Sequence, residues 1–428
     1  MAPSPAARVR RAAATLATAA VLSALAAPAA LADGGSPAPA APAPVAPGLF
    51  GTGDPQYDGV FRQSLALLAQ QATGVTPAPQ AVRWLAGQQC ADGGFAAYRA
   101  DTGRACDAKA GEFTDATATA VQALAATGGN EQAVAKAMTW LTAHQNEDGG
   151  WGMAPGNPTD ANSTSSAIGA LAATGKDVAK ATAKSGRSPY DALLALQAGC
   201  DKNEDERGTF APNDLASAAA ALGMLGKGYL AGSPAKDTKD AKPADKPLKP
   251  LECADGDASA KPQDAPAAAE AVAAYLAKKT DANGGYLKSA MPGAPEGPDL
   301  GTTADAALAL AAGGHRAAAG KPLTWLQSAD AKAAEWAKGN PGRLAKLVLA
   351  AHAAGADPRA FGGTDLVAAL NETGPKQQPT GSATPEKKDE KKKDSGKGAG
   401  VWWIVAVFFL ASTGVGFLIS GRRKKNQP

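Results

Sequence analysis

WLTAHQNEDGGW, residues 140–151, decides how this chain folds, because imperfect copies of it recur and each is followed by an alanine-rich apolar run. Upstream, residues 84–95 read WLAGQQCADGGF, so Trp84 answers to Trp140 and Phe95 to Trp151 at a common offset of 56. Downstream, residues 275–286 read YLAKKTDANGGY, with the same 11-residue gap between the two aromatics. A looser unit, residues 192–210, keeps Leu193, Gln197 and Gly208-Thr209-Phe210 around a longer loop. The last copy retains only Trp325 and Trp336. Self-similarity at this period marks stacked supersecondary units.

Each copy ends one helix and starts the next. Gln or Thr at its centre closes a helix whose Trp-Leu pair faces inward, and Asp-Gly-Gly turns the chain where positive φ is required. The following aromatic fills the gap between neighbouring helices. Cap residues and an apolar helix come next, at Thr114-Asp115, Asn162-Ser163-Thr164, Asn213-Asp214 and Thr302-Thr303. Twelve helices are predicted, over 58–71, 79–89, 115–127, 131–144, 162–174, 188–198, 213–225, 266–279, 302–312, 321–327, 343–354 and 364–371. They make six hairpins, none able to bury its apolar face alone, so neighbours must stack.

The step from Phe210 to Tyr286 is 76 rather than 56, and the excess coincides with a Lys/Asp/Pro-rich insertion at 232–262, expected on the surface of the ring. A net charge of +3 gives no reason to expect a nucleic-acid partner. Arg8, Arg10 and Arg11 precede an apolar run and Ala30-Leu31-Ala32, which reads as an export signal over 1–32. A Pro/Ala-rich spacer follows over 33–55, ahead of the repeat region at 56–372. Beyond a charged stalk, 375–400, the apolar run 401–420 has the length that spans a bilayer, with Trp402 and Trp403 at its edge. The expected product is a single-pass protein of the cell membrane, with its N-terminal domain outside and a basic tail, 421–428, in the cytoplasm. Leu370-Asn371-Glu372-Thr373-Gly374 resembles a sortase signal, but it lies too far from the apolar run and is expected to be a helix end.

Cys90, Cys106, Cys200 and Cys253 allow three pairings in an exported chain. Local pairing, Cys90 with Cys106 and Cys200 with Cys253, is the expectation. No CxxC or Cys/His spacing suggests a metal, and His144, His315 and His352 are expected to be packing or surface residues rather than ligands.

The WL…Q…DGGW core resembles the QW-type repeats of the prenyltransferase and squalene-cyclase superfamily, over most of 56–372. The resemblance implies an all-α fold, an α6/α6 toroid, here followed by one C-terminal transmembrane helix. Class II cyclases of that superfamily use a DxDDTA acid motif; Phe113-Thr114-Asp115-Ala116-Thr117-Ala118 keeps one acid of the three. The zinc ligands of the protein prenyltransferases and the Cys-Gly-Glu-Gln of thioester domains have no counterpart. Of 22 aromatics, five lie in 401–420 and nine serve the repeats, which predicts an aromatic-poor cavity.

The helical domain of transcobalamin and intrinsic factor is nearest in logic, and it implies a polar mouth where the inner helices begin. Aligning those helices on Leu124, Leu171 and Leu222 puts Asp115, Asn162 and Asn213 at one position and Thr117, Thr164 and Thr303 two residues on. These six are the candidate ligand-binding residues, with plain capping as the competing role. The favoured function is non-catalytic binding of a small molecule or protein partner, with corrinoid-like uptake as its setting and no cofactor. A transporter, or a separate β-domain protein closing the site, would be its partner. A terpenoid cyclase or prenyltransferase-like enzyme, and a structural surface interaction module, are the alternatives.

Overall fold

A computed structural model of the chain describes residues 47–107, 111–232, 245–254, 258–289 and 297–376. All belong to the first of two compact units, Met1–Lys376; the second is Gln377–Pro428. The expected export signal, most of the spacer, the stalk from 377 onward, the apolar run 401–420 and the basic tail lie outside the described residues. Among the described residues no helix is long and apolar enough to cross a membrane.

The helices are α1 Gly59–Ala72, α2 Pro79–Gly87, α3 Thr114–Thr127, α4 Glu131–Ala143, α5 Ala161–Ala173, α6 Pro189–Leu196 and α7 Asp214–Met224. They continue with α8 Ala265–Ala282, α9 Leu300–Gly313, α10 Arg316–Gln327, α11 Ala333–Ala337, α12 Pro341–Ala353 and α13 Leu366–Glu372. Twelve answer to the predicted ones. The additional α11 sits inside the eroded copy, where Arg343 lies 4.9 Å over the Trp336 ring. α13 ends at Glu372 with Leu370 buried, so the sortase-like stretch is a helix end.

The packing order is that of a closed ring. α1 packs on α3, α3 on α5, α5 on α7, α7 on α9, α9 on α12, and α12 returns to α1. α2, α4, α6 and α8 form an outer layer, each lying between two successive inner helices, with α10 against α9 and α13 against α12. Alanine on most inner faces lets these backbones approach closely. The ring is sealed where the two ends of the described chain meet: Gly51 N donates to Thr373 O at 2.7 Å. Phe50 is fully buried there and Arg62 donates to the carbonyls of Phe50 and Gly53. The last residues of the expected spacer, 48–55, are therefore part of the ring, anchored by two apolar residues, Leu49 and Phe50, that a Pro/Ala-rich composition obscures.

The repeat motif works through its glutamine. Gln89 Nε2 donates to Gly93 O at 3.0 Å and to Ala133 O at 2.8 Å. Gln145 Nε2 reaches Gly149 O at 2.7 Å and Ala181 O at 2.9 Å, and Gln197 Nε2 reaches Gly208 O and Ala268 O, both at 3.0 Å. One amide thus ties the turn of its own motif to the start of the next outer segment. Gln63, on α1 rather than in a motif, does the same for Gly48 O at 2.9 Å and Ala81 O at 3.0 Å. The motif glycine is required by space as well as by φ: at Gly149, φ is +93°, and a Cβ would stand 2.3 Å from Ser188 O.

The residue after the turn is then held by a hydroxyl on the following inner helix. Phe95 N donates to Thr117 Oγ1 at 2.9 Å, Trp151 N to Thr164 Oγ1 at 3.0 Å, Phe210 N to Ser217 Oγ at 3.0 Å and Leu287 N to Thr303 Oγ1 at 3.0 Å. In the 275–286 copy the buried plug is therefore Leu287, not Tyr286, which packs on Trp325 with ring centroids 4.7 Å apart.

Both disulfides pair locally, Cys90 with Cys106 and Cys200 with Cys253. They close the loop of the first motif and the base of the insertion, and Cys200 N donates to Ala260 O there. His315 is buried, with Nδ1 3.0 Å from Lys246 O, which pins the middle of the insertion to the start of α10.

One motif loop sets two carboxyl groups against each other. Thr159, five residues ahead of Thr164, donates its hydroxyl to Asp148 at 2.7 Å. The equivalent residue five ahead of Thr117 is Glu112, facing Asp92, and a carboxyl can fill the donor's place only when protonated. Burial, followed by the charge of Asp92 and the hydrogen bond to it, pushes Glu112 up to about 7.

Both the glutamine clasp and this proton can be tested. Gln197→Ala should lower stability to denaturant by about 2 to 4 kcal/mol, because it leaves buried carbonyls without a donor, each costing about 1 to 3; a loss under about 0.5 kcal/mol would contradict the role given to the amide. Glu112 binds its proton more tightly folded than unfolded, so stability should fall as pH rises from 4.5 to about 7. In Glu112→Gln, whose amide donates at every pH, that component of the melting profile should vanish, and parallel profiles would refute the shared proton.

Candidate functional site

The ring encloses a cavity of about 990 Å³, open at one end and lined from all six inner helices. Its mouth lies where those helices begin. Asp115 and Ala116 of α3, Asn162 of α5 and Leu215 of α7 stand there with the loop residues Asp54, Tyr57, Tyr98 and Met153. Tyr57, Met153 and Leu215 are 83%, 55% and 39% exposed, so the rim is an apolar surface open to solvent.

The floor is built by the segment just ahead of the expected insertion. Residues 226–231 leave α7 and cross the ring axis instead of staying on its surface. Gly228 passes so close to α3 and α5 that a Cβ would fall 2.2 Å from Gln122 Oε1 and 3.2 Å from Gly169 Cα. Tyr229 N donates to Gln122 Oε1 at 3.0 Å, and its ring meets Phe61 edge-on at 6.4 Å. Beyond this plug lies a smaller cavity of about 320 Å³ among the C-terminal halves of α1, α3 and α5.

The candidate residues divide. Asp115 and Asn162 line the cavity, and neither caps its helix: α3 has no side-chain cap, and α5 is capped by Asp160, which accepts from Ser163 N at 2.8 Å. Asn213 caps α7 by accepting from Ala216 N at 3.1 Å and is not in the lining. Thr117, Thr164 and Thr303 are fully buried, their hydroxyls spent on the turns described above. The polar collar is thus two residues, not six.

The cause is the register of α7. The hydroxyls of Thr117, Thr164, Ser217 and Thr303 stand at one structural position, and seven residues on come Leu124, Leu171, Met224 and Leu310. Met224, not Leu222, answers to the other leucines, so Leu215 occupies the place assigned to Asn213. Leu222 itself faces the cavity.

The expectation of an aromatic-poor cavity also fails. Tyr57, Phe61, Tyr98, Phe113 and Tyr229, five of the eight aromatics outside the motifs and 401–420, are in the lining. Other polar groups missed in the sequence are Gln122, Ser165, Ser166 and an ion pair deep in the wall, Lys346 Nζ to Asp305 Oδ2 at 2.5 Å. Burial raises the Asp115 carboxyl, and the charge of Asp160 adds to it, while Ser166 and Ser163 act in the opposite sense. Burial likewise raises the Tyr229 phenol, with Asp305 and Asp115 reinforcing it, so this hydroxyl is a neutral donor at any physiological pH. Among the described residues, Cys90, Cys106 and Glu112 cluster within metal-ligand reach, but both sulfurs are in the disulfide and offer no thiolate.

Residues 60–195 match the family model of the prenyltransferase alpha-alpha toroid domain. Among solved structures, one described as a protein from Actinoplanes is 15% identical over 70% of this chain and 90% of its own, with a TM-score of 0.41. A wild-type glycosidase is 14% identical over 72% of this chain and 91% of its own, with a TM-score of 0.39. No curated protein matches the chain in sequence. The stretch from α1 to α6, residues 60–195, is thus similar to the prenyltransferase alpha-alpha toroid domain.

Proposed function

We propose that this chain is a non-catalytic binding protein at the outer face of the cell membrane, held by the apolar run 401–420, whose ring cavity takes a small-molecule ligand. The cavity carries this reading: about 990 Å³, one open end, mostly apolar walls and a few convergent polar groups. Two disulfides support an extracellular setting. The exposed apolar rim of Tyr57, Met153 and Leu215 supports a partner seated over the mouth, a transporter or a separate β-domain chain in an uptake system.

A terpenoid-handling enzyme is the second reading, favoured by the five aromatics in the lining. Protonating an alkene needs a strengthened acid, however, and Asp115 is shifted the other way. The other deep carboxylate in the lining, Asp305, is held by Lys346. Binding without chemistry fits this arrangement better.

The test is thermal melting of the full chain with corrinoids, polyprenyl diphosphates and cell-wall fragments. A ligand at a hundred times its dissociation constant should add about 2.7 kcal/mol to stability. Ala219→Trp, which places an indole in the cavity wall, should abolish that gain. A gain that survives Ala219→Trp would place the ligand elsewhere, and product formed from a polyprenyl diphosphate would favour the enzyme.

A further inference from the structure

The charged groups of the cavity are not equally occupied. Both ammonium groups in the lining are engaged by the chain itself: Lys346 by Asp305 at 2.5 Å, and Lys227 by Ala312 O at 2.7 Å. Asp54, at the exposed mouth, accepts from Gln56 N at 2.9 Å. Asp115 is the exception. Its Oδ2 has Ser163 Oγ at a long 3.4 Å, the Ser166 hydroxyl also acts on the carboxyl, and its Oδ1 is buried with no hydrogen-bond partner among the described residues. Among the described residues no cation is paired with it, and a buried carboxylate without a counter-charge is costly.

Aromatic rings surround the same space. Phe113 stands two residues ahead of Asp115, and Phe61 and Tyr229 meet edge-on at the floor. Ring faces attract cations and repel anions. At the mouth an anionic ligand would meet the uncompensated carboxylates of Asp54 and Asp115, while the remaining ammonium, Lys227, sits in the floor segment bonded to Ala312 O. An uncharged ligand would leave Asp115 as it is.

Resting on the binding reading above, we infer that the cavity selects an organic cation with an apolar or aromatic body, its positive group seated against Asp115 at the mouth and its body among the aromatics. Asn162 of α5, in the lining beside that seat, would orient the cationic group. Asp115 binds the ligand's charge; Asp305, neutralised by Lys346, fixes the wall behind it.

The experiment uses the full chain in a non-ionic detergent, with detergent alone as blank, and two dyes that share a xanthene body, cationic rhodamine 6G and anionic fluorescein. Fluorescence anisotropy should show rhodamine 6G bound and fluorescein at least about tenfold weaker. Asp115→Asn should weaken rhodamine 6G by about ten- to a hundredfold, the effect of removing a bond to a charged group. Asn162→Lys, which supplies an ammonium at the mouth of the site, should weaken it similarly; it carries the test if Asp115→Asn melts markedly lower than the natural chain. Rhodamine 6G that fails to bind, or that binds the natural chain, Asp115→Asn and Asn162→Lys equally, overturns the inference. Fluorescein bound as tightly as rhodamine 6G, with both lost in Ala219→Trp, overturns the charge selection and leaves the cavity as a binding site. Dye binding unchanged in Ala219→Trp overturns both.

Discussion

The bidentate amide of the motif glutamine is the interaction on which the rest of this structure depends. A tight turn between an outer and an inner helix leaves carbonyls facing the interior, and a buried carbonyl without a donor is expensive. Gln89, Gln145 and Gln197 each answer two of them at once, one in their own turn and one in the next outer segment. The same contact therefore satisfies the loop and sets the distance between successive hairpins. Repeated in three successive copies, it helps fix where the inner helices that follow them begin, and with them much of the mouth of the cavity.

The cavity follows from that geometry and from one departure from it. Six inner helices packed side by side leave an axial space that their small side chains do not fill. The segment 226–231 closes one end by running across the axis, with Gly228 admitting the close approach and Gln122 receiving Tyr229 N. A through-hole becomes a pocket with a floor, and polar groups that would face bulk water, Asp115 and Asp305 among them, acquire a shielded environment. The shift of Asp115 and the persistence of the Asp305–Lys346 pair share that origin.

Much of the frame is legible in the sequence because its signals are chemical: Gly-Gly after Asp for the turn, an aromatic plug, a glutamine at fixed spacing, local cysteine pairs. The register of α7 is not. Asp214–Met224 is alanine on nearly every face, so its hydrophobic pattern carries almost no phase, and Leu222 looks as good an anchor as Met224. The hydroxyl of Ser217, matching Thr117, Thr164 and Thr303, is the signal that corrects it. The threonines themselves are ambiguous because a hydroxyl near a helix start suits a cap, a ligand contact or a clasp equally well. The floor is illegible for a different reason: one tyrosine in a glycine-rich linker gives no periodicity from which to infer that it crosses the ring.

Backbone hydrogen exchange tests the central claim most directly, that motif turns are locked onto the inner helices and behave as core. The amides of Phe95, Trp151, Phe210 and Leu287 each donate to a buried hydroxyl. The account predicts protection close to that of the inner helices, with exchange limited by global unfolding. Exchange at the rate of exposed loop amides, with the inner helices still protected, would contradict it: the turns would then open independently and could not set the shape of the cavity.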